Sequence, residues 1–196
     1  MGTVVWGFTA SIDGFLAAPG HDMSWLEEIA AREAAASPEP DGPDLTATLA
    51  APVAVIISGR RGYDAALAQR ETRGELTSEA YGGAWSGTEV ILTHRPEELA
   101  GDDTVLAWSC DIREALRRAQ EIAGEGEIQI ISADIARQAL EADLVDEIQV
   151  MCAPVLLGDG TRLFEVPGGR RVDVELVGPI PGAERAFGRV YRPLHR

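Results

Sequence analysis

Residues 52–58 read Pro-Val-Ala-Val-Ile-Ile-Ser, a nearly continuous apolar run of the kind that forms a strand covered on both faces. Residues 3–10, with Val4, Val5, Trp6 and Phe8, make a β-rich first strand that Ser11-Ile12-Asp13-Gly14 breaks. Further strands are predicted at 89–93, 104–108, 127–131 and 146–153. A different period runs through 111–123, where Ile112, Ala115, Leu116, Ala119 and Ile122 fall on one helical face behind a capping-box start at Asp111 and Glu114. Helices are also predicted at 23–36, opened by Asp22 or Ser24, and at 134–142, with a short helical segment at 63–67.

Between these elements, 37–44 carries three prolines and three acidic residues and reads as a loop. Residues 69–87 are polar and glycine-containing and read as a long loop, a candidate lid that carries Tyr81 and Trp85. The tail alternates at 171–179 and 184–191 around Pro181-Gly182, which predicts an antiparallel edge hairpin. Strands alternating with helices give an α/β fold, a mixed and mainly parallel sheet with helices on both faces and a C-terminal antiparallel hairpin. No repeat or linker interrupts residues 1–196, which are read as a single domain.

Charge narrows the function classes. The 196 residues hold 32 acidic and 17 basic side chains, a net charge of −15, and every basic one is arginine. Without lysine there is no Schiff-base chemistry and no P-loop lysine. The acidic balance argues against nucleic-acid and anionic-membrane partners, which need a positive field. Two cysteines (Cys110, Cys152) and three scattered histidines (His21, His94, His195) form no metal-ligand spacing, so no metal is expected. The first residues lack a basic signal-like start, and no apolar run reaches membrane-spanning length, which gives the expectation of a cytoplasmic protein.

In open α/β sheets, ligands gather where strand ends meet helix starts. Three such junctions stand out: Gly59-Arg60-Arg61, Thr93-His94-Arg95, and Ser132-Ala133 before the Asp134 helix. Arginine forks at a helix start suit a phosphate; surface arginines, a plain turn before Pro96 and a simple N-cap at Ser132 are the alternatives. Asp13 at the end of the first strand, with Gly14, is the best-placed carboxylate for proton transfer or, equally, a turn residue. Glu27 and Glu28 are a helix face near the same mouth, and Trp25, Tyr81 and Trp85 are aromatics able to wall a planar ligand.

Taken in order, these segments resemble the dihydrofolate-reductase-like superfamily, in the branch of the riboflavin-biosynthesis reductase domain. The resemblance covers nearly the whole chain and rests on five blocks: residues 11–17, 59–64, 93–96, 144–148 and 154–164, the last two being the most specific. It implies an NADPH-dependent reductase delivering hydride to a C=N, C=C or C=O bond of a small organic substrate, commonly as a homodimer. The implied cofactor contacts are Gly59, Arg60, Arg61, Thr93, His94, Arg95, Ser132 and Ala133. The resemblance implies that Asp13 with Gly14 lines the substrate and nicotinamide end and that Trp25 belongs to the substrate wall; from the residues themselves, Asp13 is the candidate catalytic group and Glu28, Tyr81 and Trp85 are further candidates for the substrate end.

The chain departs from the family pattern at three places. Ile131-Ser132-Ala133 stands where relatives carry Gly-Gly-Ala, Gly62 where they carry threonine, and Gly7 where the riboflavin reductases carry a lysine. The last points away from riboflavin synthesis. A branched Ile131 crowds a diphosphate, which motivates a second expectation: the same fold with the nicotinamide site lost, serving as a cofactor-free isomerase or cyclase, or as a small-molecule-binding protein.

Overall fold

The computed structural model describes residues 2–36, 45–73, 80–181, 183 and 188–194. Its strands are β1 (Val4–Ser11), β2 (Phe15–Ala17), β3 (Val53–Gly59), β4 (Thr88–Leu92), β5 (Val105–Trp108), β6 (Glu127–Ile130), β7 (Glu147–Ala153), β8 (Thr161–Arg162), β9 (Val174–Pro179) and β10 (Arg189–Pro193). The helices are α1 (Ser24–Ala36), α2 (Leu45–Ala50), α3 (Arg60–Arg73), α4 (Ile112–Ala123) and α5 (Ala133–Glu141).

One eight-stranded sheet runs β5-β4-β3-β6-β1-β7-β10-β9. Its first six strands are parallel, and β10 pairs antiparallel with both β7 and β9. The mixed sheet and the C-terminal hairpin follow from the apolar patterning, although the hairpin's turn lies largely outside the described residues. Absent from the sequence reading are the small β2–β8 sheet, three short 3-10 turns and α2, whose Leu-Thr-Ala-Thr-Leu-Ala is too short to show a period. The long loop read at 69–87 is replaced over its first residues by α3, which runs on to Arg73. Residues 74–79, like the loop read at 37–44, lie outside the described residues.

Alternation decides which face each residue serves. Val4, Trp6, Val55, Ile57, Ile128, Ile130 and Ile148 point to one face and pack against Ala115, Leu116 and Ala119 of α4 and Ile135, Ala136, Ala139 and Leu140 of α5. Both helices start as their sequences dictate, α4 with the Glu114 amide donating to Asp111 Oδ1 at 2.9 Å. The opposite face is covered by α1 and α2: Ile29 packs on Ala153, and Leu45 and Leu49 pack with Met151, Ile180 and Val190. Among the described residues, no helix is long and apolar enough to cross a membrane.

Candidate active site

Because six neighbouring strands are parallel, their carboxyl ends share one edge of the sheet, and the three junctions picked out in the sequence all lie there. Gly59 ends β3 and Ser132 follows β6, its neighbour in the sheet. A Cβ on Gly59 would stand 3.3 Å from Ser132 Oγ, so the missing side chain keeps these two strand ends open. Ser132 occupies the N-cap position of α5, yet its hydroxyl makes no cap hydrogen bond. That hydroxyl and the first amides of α5 are donors without a helical acceptor.

The arginines are less available than their sequence positions imply. Arg60 donates to Asp64 and to Glu98, each at 2.7 Å, and Arg95 pairs with the other oxygen of Glu98 at 2.8 Å. Glu98 thus bridges two of the expected phosphate ligands. Arg61 is exposed at the start of α3. Asp134 is held below the ordinary carboxylate range chiefly by the Arg137 hydrogen bond, with a smaller contribution from the charge of Arg61. Thr93 Oγ1 accepts the Arg95 amide at 3.1 Å, and His94 stands exposed between them.

Beside this edge lies a cavity of about 580 Å³ between the sheet and helices α1 and α2, within the size range of small-molecule sites. Gly7 and Thr9 of β1, Gln129 of β6 and Gln149 and Met151 of β7 line it from the sheet; Leu26, Glu27 and Ile29 line it from α1. Gln129 is only 6% exposed. Its Oε1 accepts the Tyr81 hydroxyl at 2.5 Å, and Tyr81, held at a left-handed φ of 55°, lines the cavity. Burial pushes the Tyr81 phenol up. Ile131 joins the two regions: its side chain, 43% exposed, lines the cavity, while the next residue is Ser132 of the open edge.

Other expected site residues stand elsewhere. Asp13 accepts the Ser11 hydroxyl at 2.6 Å and the amides of Leu157 at 3.1 Å and Gly158 at 2.7 Å. The hydroxyl first, and then the amides, hold its carboxyl down to about 2. A carboxylate so satisfied is ionised at neutral pH, so it clamps the loop as a turn residue and is a poor proton donor. Gly14, at φ 83°, closes that turn. Trp25 is buried against Ile29 and Ala153 behind the cavity wall. Trp85 Nε1 donates to the carbonyl of Val53 at 2.8 Å, at the amino end of β3 and hence at the opposite edge of the sheet. Glu28 is exposed; its neighbour Glu27 is the α1 carboxylate that reaches the cavity.

Gln129 and Gln149 were not singled out in the sequence, although Glu127-Ile128-Gln129-Ile130 signals them: a polar residue between two isoleucines of a central strand must face something other than core.

The model for the RibD C-terminal domain matches residues 51–180, well over half of the chain. The chain belongs to the RibD C-terminal domain family. A putative riboflavin biosynthesis protein from Shewanella sp. PV-4 superposes with a TM-score of 0.69 at 19% identity, covering 100% of both chains. A RibD of Acinetobacter baumannii superposes at 0.61 and 16% identity over 99% of this chain and 58% of that one. A dihydrofolate reductase of Enterococcus faecalis, complexed with NADP(H) and RAB-propyl, superposes at 0.56 and 15% identity, covering 98% and 97%. No curated protein sequence matches this one at a significant level. These likenesses establish a reductase-type, dihydrofolate-reductase-like fold.

Proposed function

We propose that this RibD C-terminal domain protein is an NADPH-dependent reductase that transfers a hydride to a C=N, C=C or C=O bond of a small organic molecule in the 580 Å³ cavity. The observation that carries the reading is the Ile131–Ser132 step, where one residue lines the cavity and the next opens α5 beside Gly59. A nucleotide along that edge would bring its reactive end to the cavity. The NADP(H) named with the Enterococcus reductase, on a similar fold, supports the same reading.

The residues present fit a dinucleotide's diphosphate at the gap left by Gly59. Ser132 Oγ, the first amides of α5 and the Arg61 guanidinium would hold it, with the positive end of the helix favouring the charge. Thr93 and Arg95 would face the adenosine 2′-phosphate, Arg95 drawing away from Glu98 to do so. NADPH supplies the hydride when bound. Glu27, the α1 carboxylate that reaches the cavity, would orient a water that gives the accepting substrate atom its proton.

Ile131 motivates a second reading, a cofactor-free enzyme or binding protein, because its branched, 43% exposed side chain borders the edge proposed for the diphosphate. Thermal shift with NADPH separates the two. The first reading expects stabilisation of about 2.7 kcal/mol at a hundredfold excess over Kd; no shift at millimolar NADPH favours the second.

A further inference from the structure

Gln129 leans toward the edge proposed for the nucleotide. Its backbone pairs with Val5 of β1, yet a Cβ on Gly7, nearer the carboxyl end of that strand, would fall 2.3 Å from Gln129 Nε2. The side chain therefore runs along the sheet and lays its amide across the space that the glycine leaves. Trp6 pairs with Ile130, so Gly7 stands level with Ile131, which lines the same cavity and precedes Ser132 of the open edge. The amide has one orientation, because the Tyr81 hydroxyl donates to Oε1 at 2.5 Å and turns Nε2 the other way. Tyr81 makes this bond from a left-handed φ of 55°, a conformation costly for a residue with a side chain.

Gln129 is more than nine-tenths buried, lines the cavity and, among the described residues, has no acceptor for Nε2. A buried donor without an acceptor is costly, and an oxygen or nitrogen of a ligand would satisfy it. The bond from Tyr81 also polarises the amide, which makes its N–H a stronger donor. Reduction gives such a donor a use. When hydride adds to the carbon of a C=O or C=N bond, the π pair moves onto oxygen or nitrogen and the nicotinamide is left oxidised. A preorganised N–H at that atom favours the charge as it develops. A water proton then completes the alcohol or amine, and the amide keeps its own. An isolated C=C bond sends the pair to carbon, a poor hydrogen-bond acceptor.

We propose that Gln129 Nε2 is the hydrogen-bond donor to the oxygen or nitrogen of the bond that is reduced, with Tyr81 as the residue that positions it. The role rests on the reductase reading for its hydride, but the contact itself forms without turnover.

The test uses three probes of similar shape, titrated by calorimetry into the intact protein with and without NADPH: 1-indanone, which only accepts, indole, which only donates, and indane, which does neither. Indanone is expected to bind about tenfold more tightly than indane, with its carbonyl stretch at lower infrared frequency than in an apolar solvent. Gln129→Met should cut that preference to about twofold and return the stretch toward its apolar-solvent value, leaving indane and indole binding unchanged. Gly7→Ala carries the same expectation and stands in should Gln129→Met fail to fold. Its methyl takes the place of Nε2, and the amide, at the end of a flexible side chain, can swing aside. Tyr81→Phe should lessen the frequency shift while indane binding persists, a change that loss of packing alone would not produce. Equal binding of indanone and indane, no indanone binding at millimolar concentration, or a stretch unaltered in all three variants each overturns the proposal. So does a loss of indole rather than indanone affinity in Gln129→Met, which would mean that Oε1 faces the cavity. Absence of NADPH binding beside the expected indanone contact overturns the reductase reading, and with it the use of the donor in reduction, but not the contact.

Discussion

The carboxylate of Asp13 accepts the backbone amide of Gly158 at 2.7 Å across 145 residues of sequence. With the Leu157 amide, it fastens the loop after β1 to the loop after β7. The bond depends on charge, and its pH dependence has a definite sign. The folded pKa of about 2 lies below the ordinary 3.8, so the contribution is fully present above pH 3.8 and is lost as pH falls toward 2. Asp13→Asn should lower Tm by a few degrees at neutral pH, and its deficit relative to the parent should shrink below about pH 4. Thermal melts across pH check this; a deficit independent of pH would mean that the charge contributes nothing.

Glu98 bridges Arg60 and Arg95, drawing both away from the edge where a 2′-phosphate would bind. Glu98→Gln should therefore strengthen NADPH binding by about twofold to fivefold, the scale of a partly exposed ion pair, with little change for NADH. The gain should fade as salt rises. Arg95→Ala should do the reverse, weakening NADPH more than NADH. Titrations of both nucleotides at two salt concentrations decide, and equal effects on the two would count against the phosphate contact.

Gly59→Val should separate binding from folding. The nearest atom to its Cβ position is Ser132 Oγ at 3.3 Å, a side-chain atom that can rotate away, so Tm should fall only slightly. The gap between the strand ends would nonetheless fill, and NADPH affinity should drop by about tenfold or more, as expected when backbone approach is blocked. Calorimetry with NADPH and a melt on the same sample test both halves.

Ile57→Ala should be costly without touching the site. Ile57 is fully buried between β3 and the α4–α5 layer, so its loss is expected to cost about 2–5 kcal/mol through lost burial and a residual cavity. Urea unfolding gives the value; a cost below 1 kcal/mol on the same scale would show that the layer collapses to fill the space.

Much of this fold is written in local pattern. The run Val53-Ala54-Val55-Ile56-Ile57 admits little but a doubly covered strand, and Asp111 with Glu114 marks where α4 begins. What the sequence hides is set by partners far along the chain. Arg60 reads as a phosphate ligand or a surface arginine until Glu98, 38 residues on, is seen to hold it. Asp13 reads equally as a proton donor or a turn residue until the Leu157 and Gly158 amides are seen to occupy it. Gln129 reads as one polar residue in a strand, because neither Gly7 nor Tyr81 is near it in sequence. Trp85 sits in a segment suggestive of a lid, but its indole anchors to Val53 at the far edge.

The strand order has a consequence for biosynthesis. Among the described residues, the sheet neighbours of Val4–Ser11 are Glu127–Ile130 and Glu147–Ala153. A nascent chain leaving the ribosome therefore carries this strand, with Val4, Val5 and Trp6 bare, until residues 127–153 have been made. Such exposed apolar segments are the surfaces that chaperones engage, and completion of the central sheet is a late, slow event governed by long-range closure.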